Sequence, residues 1–500
     1  MMTTMHSHSP LLTRYRWKTT PWILLAAWSW SAASQAQDVA PLAPPPVPEV
    51  VPPPPMPQPV ALPQLSTGQL IQLASLVGKD AVAQGLSDTP PAAPTDNDGL
   101  VRAALDHAKA VHSGRLAEAD FQRDWAMRPV AYDPLPAFRN AVANDRLAAW
   151  IASLPPPYAG YDTLVAGLAR YRAIAAVDGW TAMTLGPELA FGMTGARVTA
   201  LRRRLAVEDL QVTGSGDRFD AALLEAVRRA QRRYGLNPSG KVGAQTLAAL
   251  NVPVDARIRQ IKANMERWRW LPPELAQNRV QVNIAAAVLT LFDGDAPVLS
   301  MKAVTGRPGD ETTMLSSQVH SIVLNPPWNV PSGIANRELW PKEKASPGYL
   351  VRNGFRIIEA PDGTKRLQQS SERSALGKFK FDFANAFSVY LHDTPAQSGF
   401  ARFDRLASHG CVRLEKPAVL AKALMSSTPE WTPDAIDKAV ATGKTVRAKV
   451  ADPVAVYLLY WTAFANPAGQ VSFRSDPYNW DGTLATKIEA RSARQALAAR

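Results

Sequence analysis

Tyr390-Leu391-His392-Asp393-Thr394-Pro395, followed further on by Ser408-His409-Gly410-Cys411-Val412-Arg413-Leu414, is the stretch on which the reading of this chain turns. A thiol becomes a nucleophile when a base or cation close by lowers the cost of its thiolate. Cys411 has His392 and His409 near it in sequence, and Arg413 two places on. A strand ending at His392 and a loop leading to Cys411 would bring base and thiol together. Gly410, directly before the cysteine, permits a tight backbone path in which successive N–H groups converge on one point, as an oxyanion hole requires. Ser408 carries a hydroxyl that can fix the loop. A cysteine, a histidine and a third group that orients the imidazole form the general pattern for acyl transfer. Two other readings of the same residues stand beside it. His392, His409 and Cys411 could hold zinc, although no fourth ligand lies close in sequence. They could also form a purely structural cluster, for which histidine, glycine and cysteine in a row are poor material. Arg413 either meets a carboxylate in the site or pairs with Glu415.

The sequence around this stretch has a strand texture. Val280-Gln281-Val282-Asn283-Ile284 alternates, and Ala287 to Phe292 and Val298 to Val304 flank the turn Asp293-Gly294-Asp295, a hairpin signal. Ser388-Val389-Tyr390-Leu391 and Thr445 to Val450 continue it. Between Leu324 and Phe383 lies a long segment rich in Pro, Gly and charge, with Asn325-Pro326-Pro327-Trp328-Asn329-Val330-Pro331 at its start. A loop of that length inside a domain points to function, and it reads as a lid that moves. Trp328 and Trp340 in it serve packing or substrate contact.

Towards the N-terminus the pattern is helical. Leu164, Leu168 and Tyr171 share one helix face, and Pro155 to Pro157 separate two helices. Val198, Leu201 and Leu205 mark one helix of a smaller unit. Leu223, Val227, Ala230 and Tyr234 mark a second, and Thr246 to Leu250 begin a third. Pro41 to Pro63 is dominated by proline and reads as a polyproline-II spacer. Arg14, Arg16 and Lys18, then an apolar run from Trp22 to Ala33, then Ser34-Gln35-Ala36, read as an export signal or an uncleaved anchor. His107, His112 and His320 give no case for chemistry.

With 500 residues the chain is too long for one compact core. Its net charge of +12 suits an anionic partner. No nucleic-acid module or zinc-finger spacing accompanies that charge, which sets nucleic acid aside. Cys411 is the single cysteine, so no disulfide can form within the chain. A lone thiol in an exported protein is either a buried small hydrophobe or a reactive group.

The histidine and its neighbours followed by Ser408-His409-Gly410-Cys411-x-Arg413 resemble the signature of the L,D-transpeptidase catalytic domain. Val304-Thr305-Gly306-Arg307, Asn325 to Pro331 and Val456 to Phe464 fit the same resemblance. The helical unit with Phe219-Asp220, Tyr234-Gly235-Leu236 and Leu250-Asn251 resembles a peptidoglycan-binding module. The order of parts is similar to that of the large Gram-negative enzymes of the family. The resemblance implies a multi-domain α+β protein: a mainly-β, mixed-sheet catalytic domain with a long lid, an α-helical scaffold and a three-helix peptidoglycan-binding-like module. Its parts are expected as a signal peptide at 1–36, a Pro-rich disordered linker at 37–98, the scaffold at 99–185 and the binding module at 186–255. A connecting helix follows at 256–278, then the catalytic domain at 279–452 with its lid at about 325–383, and a C-terminal extension at 453–500 that packs on the scaffold and ends in disorder.

The resemblance also implies the chemistry. Cys411 attacks the third-residue carbonyl of a tetrapeptide stem, D-alanine leaves, and the amine of a second stem takes the acyl group in a 3→3 cross-link. His392 is the base, the Asp393 carbonyl orients it, and N–H groups around Gly410 and Cys411 hold the oxyanion. His409 shapes the site. Ser408, Arg413, Tyr390 and Trp328 are the expected substrate contacts. Neither a metal nor another cofactor is implied. The partners are stem peptides and glycan strands of peptidoglycan, other wall-synthesis enzymes and an inner-membrane tether, in the periplasm. The family's thiol is a carbapenem target. Water or a protein lysine as acceptor would make the same thiol a carboxypeptidase or a lipoprotein-attaching or -detaching enzyme. A catalytically dead wall-binding scaffold is the reading of another class.

Overall fold

A computed structural model of the chain describes residues 61–359 and 361–498. The expected signal or anchor and the proline spacer up to residue 60 lie outside the described residues. Fourteen strands are β1 (Asn278–Asn283), β2 (Val288–Asp293), β3 (Ala296–Gly306), β4 (Leu315–Leu324), β5 (Trp328–Asn329), β6 (Phe355–Glu359), β7 (Lys365–Gln369), β8 (Phe379–Phe383), β9 (Leu391–His392), β10 (Leu406–Ser408), β11 (Val412–Leu414), β12 (Val446–Leu459), β13 (Ala463–Ala465) and β14 (Val471–Phe473). The main sheet runs β10-β3-β11-β9-β8-β4-β12-β1-β2. β3 also pairs with β2 along Ala296–Lys302 and with β11 at Ala303 and Val304, so the strand order closes on itself. The sheet is mixed: β1–β12, β9–β11 and β3–β10 are parallel and the other pairings antiparallel. Its interior is apolar, with Val280, Val282, Leu289, Val319, Ile322, Phe381, Leu391, Val412 and Val456 all buried.

The sequence forms this sheet for local reasons. Gly294 at φ +57° closes the β2–β3 hairpin, where a left-handed backbone favours glycine. Asn385 builds the turn from β8 to β9. Its side-chain amide donates to the Phe383 and Val389 carbonyls, and its side-chain oxygen accepts from the Phe387 and Val389 N–H groups. The strand expected from Ser388 is shorter than its apolar residues suggest, because Ser388 sits at φ +57° and only Leu391 and His392 pair.

The segment between β4 and β8 is folded rather than structureless. It contains the sheet β5-β7-β6 and short helical turns from Ser332 to Arg352, and it has its own small core of Val330, Ala335, Leu339, Leu350, Phe355 and Leu367. Trp328 and Trp340 pack against that core.

Helices Ala196–Glu208, Ala221–Arg233 and Ala244–Leu250 make the small three-helix unit, with Leu201, Phe219, Leu223, Val227 and Leu250 buried. Four helices, Thr67–Ala83, Asn97–Ser113, Leu135–Ala143 and Leu147–Ala152, enclose a second core built on Leu73, Val101, Phe138 and Leu147. Helix Ala159–Ala175 packs with Val254–Trp268 in the main core.

Three expected boundaries need correction. Residues 61–98 are not all linker, because Thr67–Ala83 is a helix whose start is fixed by reciprocal hydrogen bonds between Ser66 and Gln69. The sheet does not end at residue 452: β12 runs to Leu459, and its last residues pair with both β1 and β4. The C-terminal end is helical from Trp480 to Ala498, with Trp480, Leu484 and Ile488 buried.

Candidate active site

β9 and β11 lie side by side and parallel, with Leu391 opposite Val412 and His392 opposite Arg413. Side chains alternate across a strand, so Leu391 and Val412 enter the core while His392 and Arg413 face the other way. Tyr390 and Cys411 sit just before these strands, and the Val412 N–H donates to the Tyr390 carbonyl at 3.0 Å. Tyr390, His392, Cys411 and Arg413 thus line one cavity of about 450 Å³, with Trp328, Ile334, Arg337, Glu338 and Tyr349 of the lid opposite.

The loop before Cys411 is tightly determined. Gly410 adopts φ +106°, and a Cβ there would stand 3.1 Å from the Glu311 carbonyl oxygen. The Ser408 hydroxyl donates to the Cys411 carbonyl at 2.5 Å and accepts from the Gly410 N–H at 3.2 Å. This corrects two expectations. Ser408 is buried with its hydroxyl engaged inside the loop, so it offers the cavity no free group. The Gly410 N–H is engaged as well, which leaves the His409 and Cys411 N–H groups of the loop with no acceptor among the described residues.

His392 is buried, and its Nδ1 lies 2.5 Å from the Asp393 carbonyl oxygen. With Nδ1 as donor, Nε2 is the basic nitrogen. The Asp393 carboxylate turns away, accepting from the Lys378 and Thr394 N–H groups at 2.7 Å each. Burial, with the Arg413 and Lys380 charges, pushes the imidazole down to about 3. Burial pushes the Cys411 thiol up, against smaller opposing effects of Tyr390, Lys380 and Arg413. Both shifts favour the uncharged forms of thiol and imidazole. No hydrogen bond joins them here; the thiol points at the Ser388 carbonyl, 3.7 Å away. The positive φ of Ser388 thus turns its carbonyl towards the sulfur.

Arg413 is half-buried and has no carboxylate partner among the described residues, and desolvation lowers its pKa. Glu415 instead meets Lys302, through the Lys302 N–H at 3.1 Å and its ammonium at 3.8 Å. Tyr390 stands edge-on to His392 at 5.6 Å between centroids, with the Lys380 ammonium 4.6 Å from its ring. Trp328 tilts against Phe355 at 6.2 Å.

His409 reaches the lid: its Nε2 lies 2.6 Å from Glu338 Oε1. That contact, followed by burial in the opposite sense, holds the Glu338 carboxyl below its ordinary value. Arg307 lies 3.6 Å from the same carboxylate and 2.8 Å from Asp310, which also pairs with Arg337 of the lid at 2.9 Å. Glu338, Ser388 and Asp310 escaped the sequence reading. Glu338 lies 71 positions from His409, so no local spacing signals the pair. Among the described residues no group of three or more His, Cys, Asp or Glu side chains is placed to hold a metal ion. His107 pairs with Asp80 at 2.8 Å, His112 stacks on Tyr132 at 3.9 Å, and His320 is exposed.

Comparison with known proteins places three parts of the chain in families. Residues 277–450 match the family described as "L,D-transpeptidase catalytic domain", residues 194–250 a "Putative peptidoglycan binding domain", and residues 82–168 a scaffold domain. The chain therefore carries an L,D-transpeptidase catalytic domain beside a peptidoglycan-binding domain. A "Putative L,D-transpeptidase" of Haemophilus influenzae is 31% identical over 240 residues, which are 45% of this chain and 48% of that protein. The chain thus spans about half the length of this curated relative. Among solved structures, an L,D-transpeptidase from Mycobacterium smegmatis is 16% identical over 37% of this chain and 59% of its own, with a TM-score of 0.20. One from Stackebrandtia nassauensis is 13% identical over 56% of this chain and 97% of its own, with a TM-score of 0.22. At such scores neither superposition adds to the argument.

Proposed function

We propose that the protein is a periplasmic L,D-transpeptidase that forms 3→3 cross-links in peptidoglycan through a thioester on Cys411. The observation that carries this reading is the register of β9 with β11, which sets Tyr390, His392, Cys411 and Arg413 on one face under the lid. The matched catalytic domain supports cross-linking chemistry in general, and the matched binding domain supports peptidoglycan as the partner.

The steps follow from the groups present. The Cys411 S–H proton passes to His392 Nε2 as sulfur attacks the carbonyl carbon of the third stem residue. The developing oxyanion lies at the Cys411 N–H, a donor of the loop with no acceptor among the described residues. The imidazolium returns the proton to the leaving nitrogen, the C–N bond breaks, and D-alanine departs, leaving a thioester. The acceptor's side-chain amine then attacks the thioester carbonyl and loses a proton to His392. The C–S bond breaks, and the proton returns to sulfur. Tyr390 lines the cavity beside the thiol and stands edge-on to His392. Arg413, with no carboxylate of its own, suits a stem carboxylate. Trp328 contacts the donor as the lid closes, and His409 braces the nucleophile loop.

Export places this chemistry at the wall, and the leader Arg14 to Ala36 is the feature read for it. No described helix is long and apolar enough to cross a membrane. The test is product analysis with a purified disaccharide-tetrapeptide. A cross-linked dimer formed with loss of one alanine, absent with Cys411→Ala, is the expected result. Tripeptide alone would make water the acceptor, and no turnover by folded protein would contradict the reading.

A further inference from the structure

Tyr478 lies in the C-terminal segment, outside the matched catalytic domain, yet it reaches the back of the nucleophile loop. Its hydroxyl donates to the Gly306 carbonyl at 2.5 Å and accepts from the Thr312 N–H at 3.3 Å. The Thr312 hydroxyl in turn accepts from the Gly306 N–H and donates to the Gly410 carbonyl, both at 2.8 Å. Both side chains are buried, Thr312 completely. The loop they hold, 306–312, leaves no slack. A Cβ at Gly306 would collide with the Asp310 carbonyl, and the Arg307 N–H donates to the Ser408 carbonyl at 3.0 Å.

The geometric consequence follows from the planar trans peptide, in which the C=O of one residue and the N–H of the next point in opposite directions. Fixing the Gly410 carbonyl against Thr312 fixes the direction of the Cys411 N–H. That N–H is turned away from the buried threonine, and Cys411 itself lines the cavity. We propose that Tyr478 is a positioning residue: through Thr312 it locks the Gly410–Cys411 peptide so that its N–H meets the oxyanion of the acyl-transfer step. The inference rests on the transpeptidase reading above. It makes the C-terminal segment part of the catalytic unit rather than an appendage.

The experiment separates the donor's direction from the thiol's own reactivity. Acylation by a carbapenem develops an oxyanion, whereas alkylation by iodoacetamide does not. Both rates are measured on the full chain, by intact mass, for wild type, Tyr478→Phe, Thr312→Val and Thr312→Ser. Expected are acylation rates about tenfold lower in Tyr478→Phe and Thr312→Val, the scale of one misdirected hydrogen bond. Alkylation should be unchanged, and Thr312→Ser, which keeps the hydroxyl, should acylate near the wild-type rate. Unchanged acylation in both variants, or acylation and alkylation falling in the same proportion, would overturn the inference. If Tyr478→Phe does not fold, the comparison of Thr312→Val with Thr312→Ser decides alone. Wild-type protein that alkylates but does not acylate would overturn the transpeptidase reading, and this inference with it.

Discussion

Cys411 and His392 meet in a setting that suppresses charge. The imidazole is pushed down to about 3 from 6.5, chiefly by burial. In the unfolded chain the same ring takes up a proton as the pH falls below its ordinary value. The unfolded state therefore binds the extra proton between about pH 6.5 and 3, and stability falls across that window with a slope of about 1.4 kcal/mol per pH unit. Above it, His392 contributes no pH dependence. His392→Gln should remove this component. Urea unfolding of wild type from pH 7 to 4 should show a steeper loss than the variant, and parallel curves would contradict the burial of a neutral ring. The sequence marks the residues proposed as nucleophile and base because His392, Gly410 and Cys411 carry chemistry in their residue types, and the structure sets His392 and Cys411 on one cavity. The sequence expects Ser408 both to fix the loop and to meet substrate; its hydroxyl is engaged in fixing the loop, bonded to the Cys411 carbonyl and the Gly410 N–H.

At the scale of elements, the lid is a small folded unit tied to the nucleophile loop by one short contact, His409 with Glu338, and by the Arg307, Asp310 and Arg337 pairs beside it. These groups are partly exposed, so each pair is worth little alone. Together they are polar ties between this segment and the loop at Cys411. Glu338→Gln removes the charge that His409 and Arg307 share. Hydrogen exchange across 332–345 should speed up in that variant while the protection of β4 and β12 stays as in wild type. Equal exchange in both proteins would show that the contact does not hold the lid. Sequence marks this segment, but its internal fold does not show in it. The apolar set Val330, Leu339, Leu350, Phe355 and Leu367 is too widely spaced to show a helix or strand period. The helix Thr67–Ala83 was missed for the opposite reason: Ser66-Thr67-Gly68-Gln69 is a readable capping box, but the prolines before it drew that stretch into the linker.

At the scale of the molecule, the C-terminal segment joins the parts. β12 feeds the sheet, and Trp461 stacks on Trp268 at 4.4 Å. Asp481 pairs with Arg267 of the helix Val254–Trp268 at 2.5 Å, and Trp480 packs against Trp125, Tyr460 and Tyr478. The resemblance carries the expectation that 453–500 packs on the scaffold, but particular contacts such as Arg267 with Asp481, 214 positions apart, leave no local signal in the sequence. Trp480→Ala empties a buried site and should cost about 3–5 kcal/mol of unfolding free energy, read by urea denaturation; a loss below about 1 kcal/mol would mean that the segment is not part of the core. The account as a whole depends on an accessible, activated thiol at Cys411. The most direct test is the intact mass of the purified protein after incubation with a carbapenem, beside Cys411→Ala. One covalent adduct in wild type and none in the variant is the predicted result. A folded wild-type protein that takes up no adduct, or a Cys411→Ala variant that still does, would contradict it.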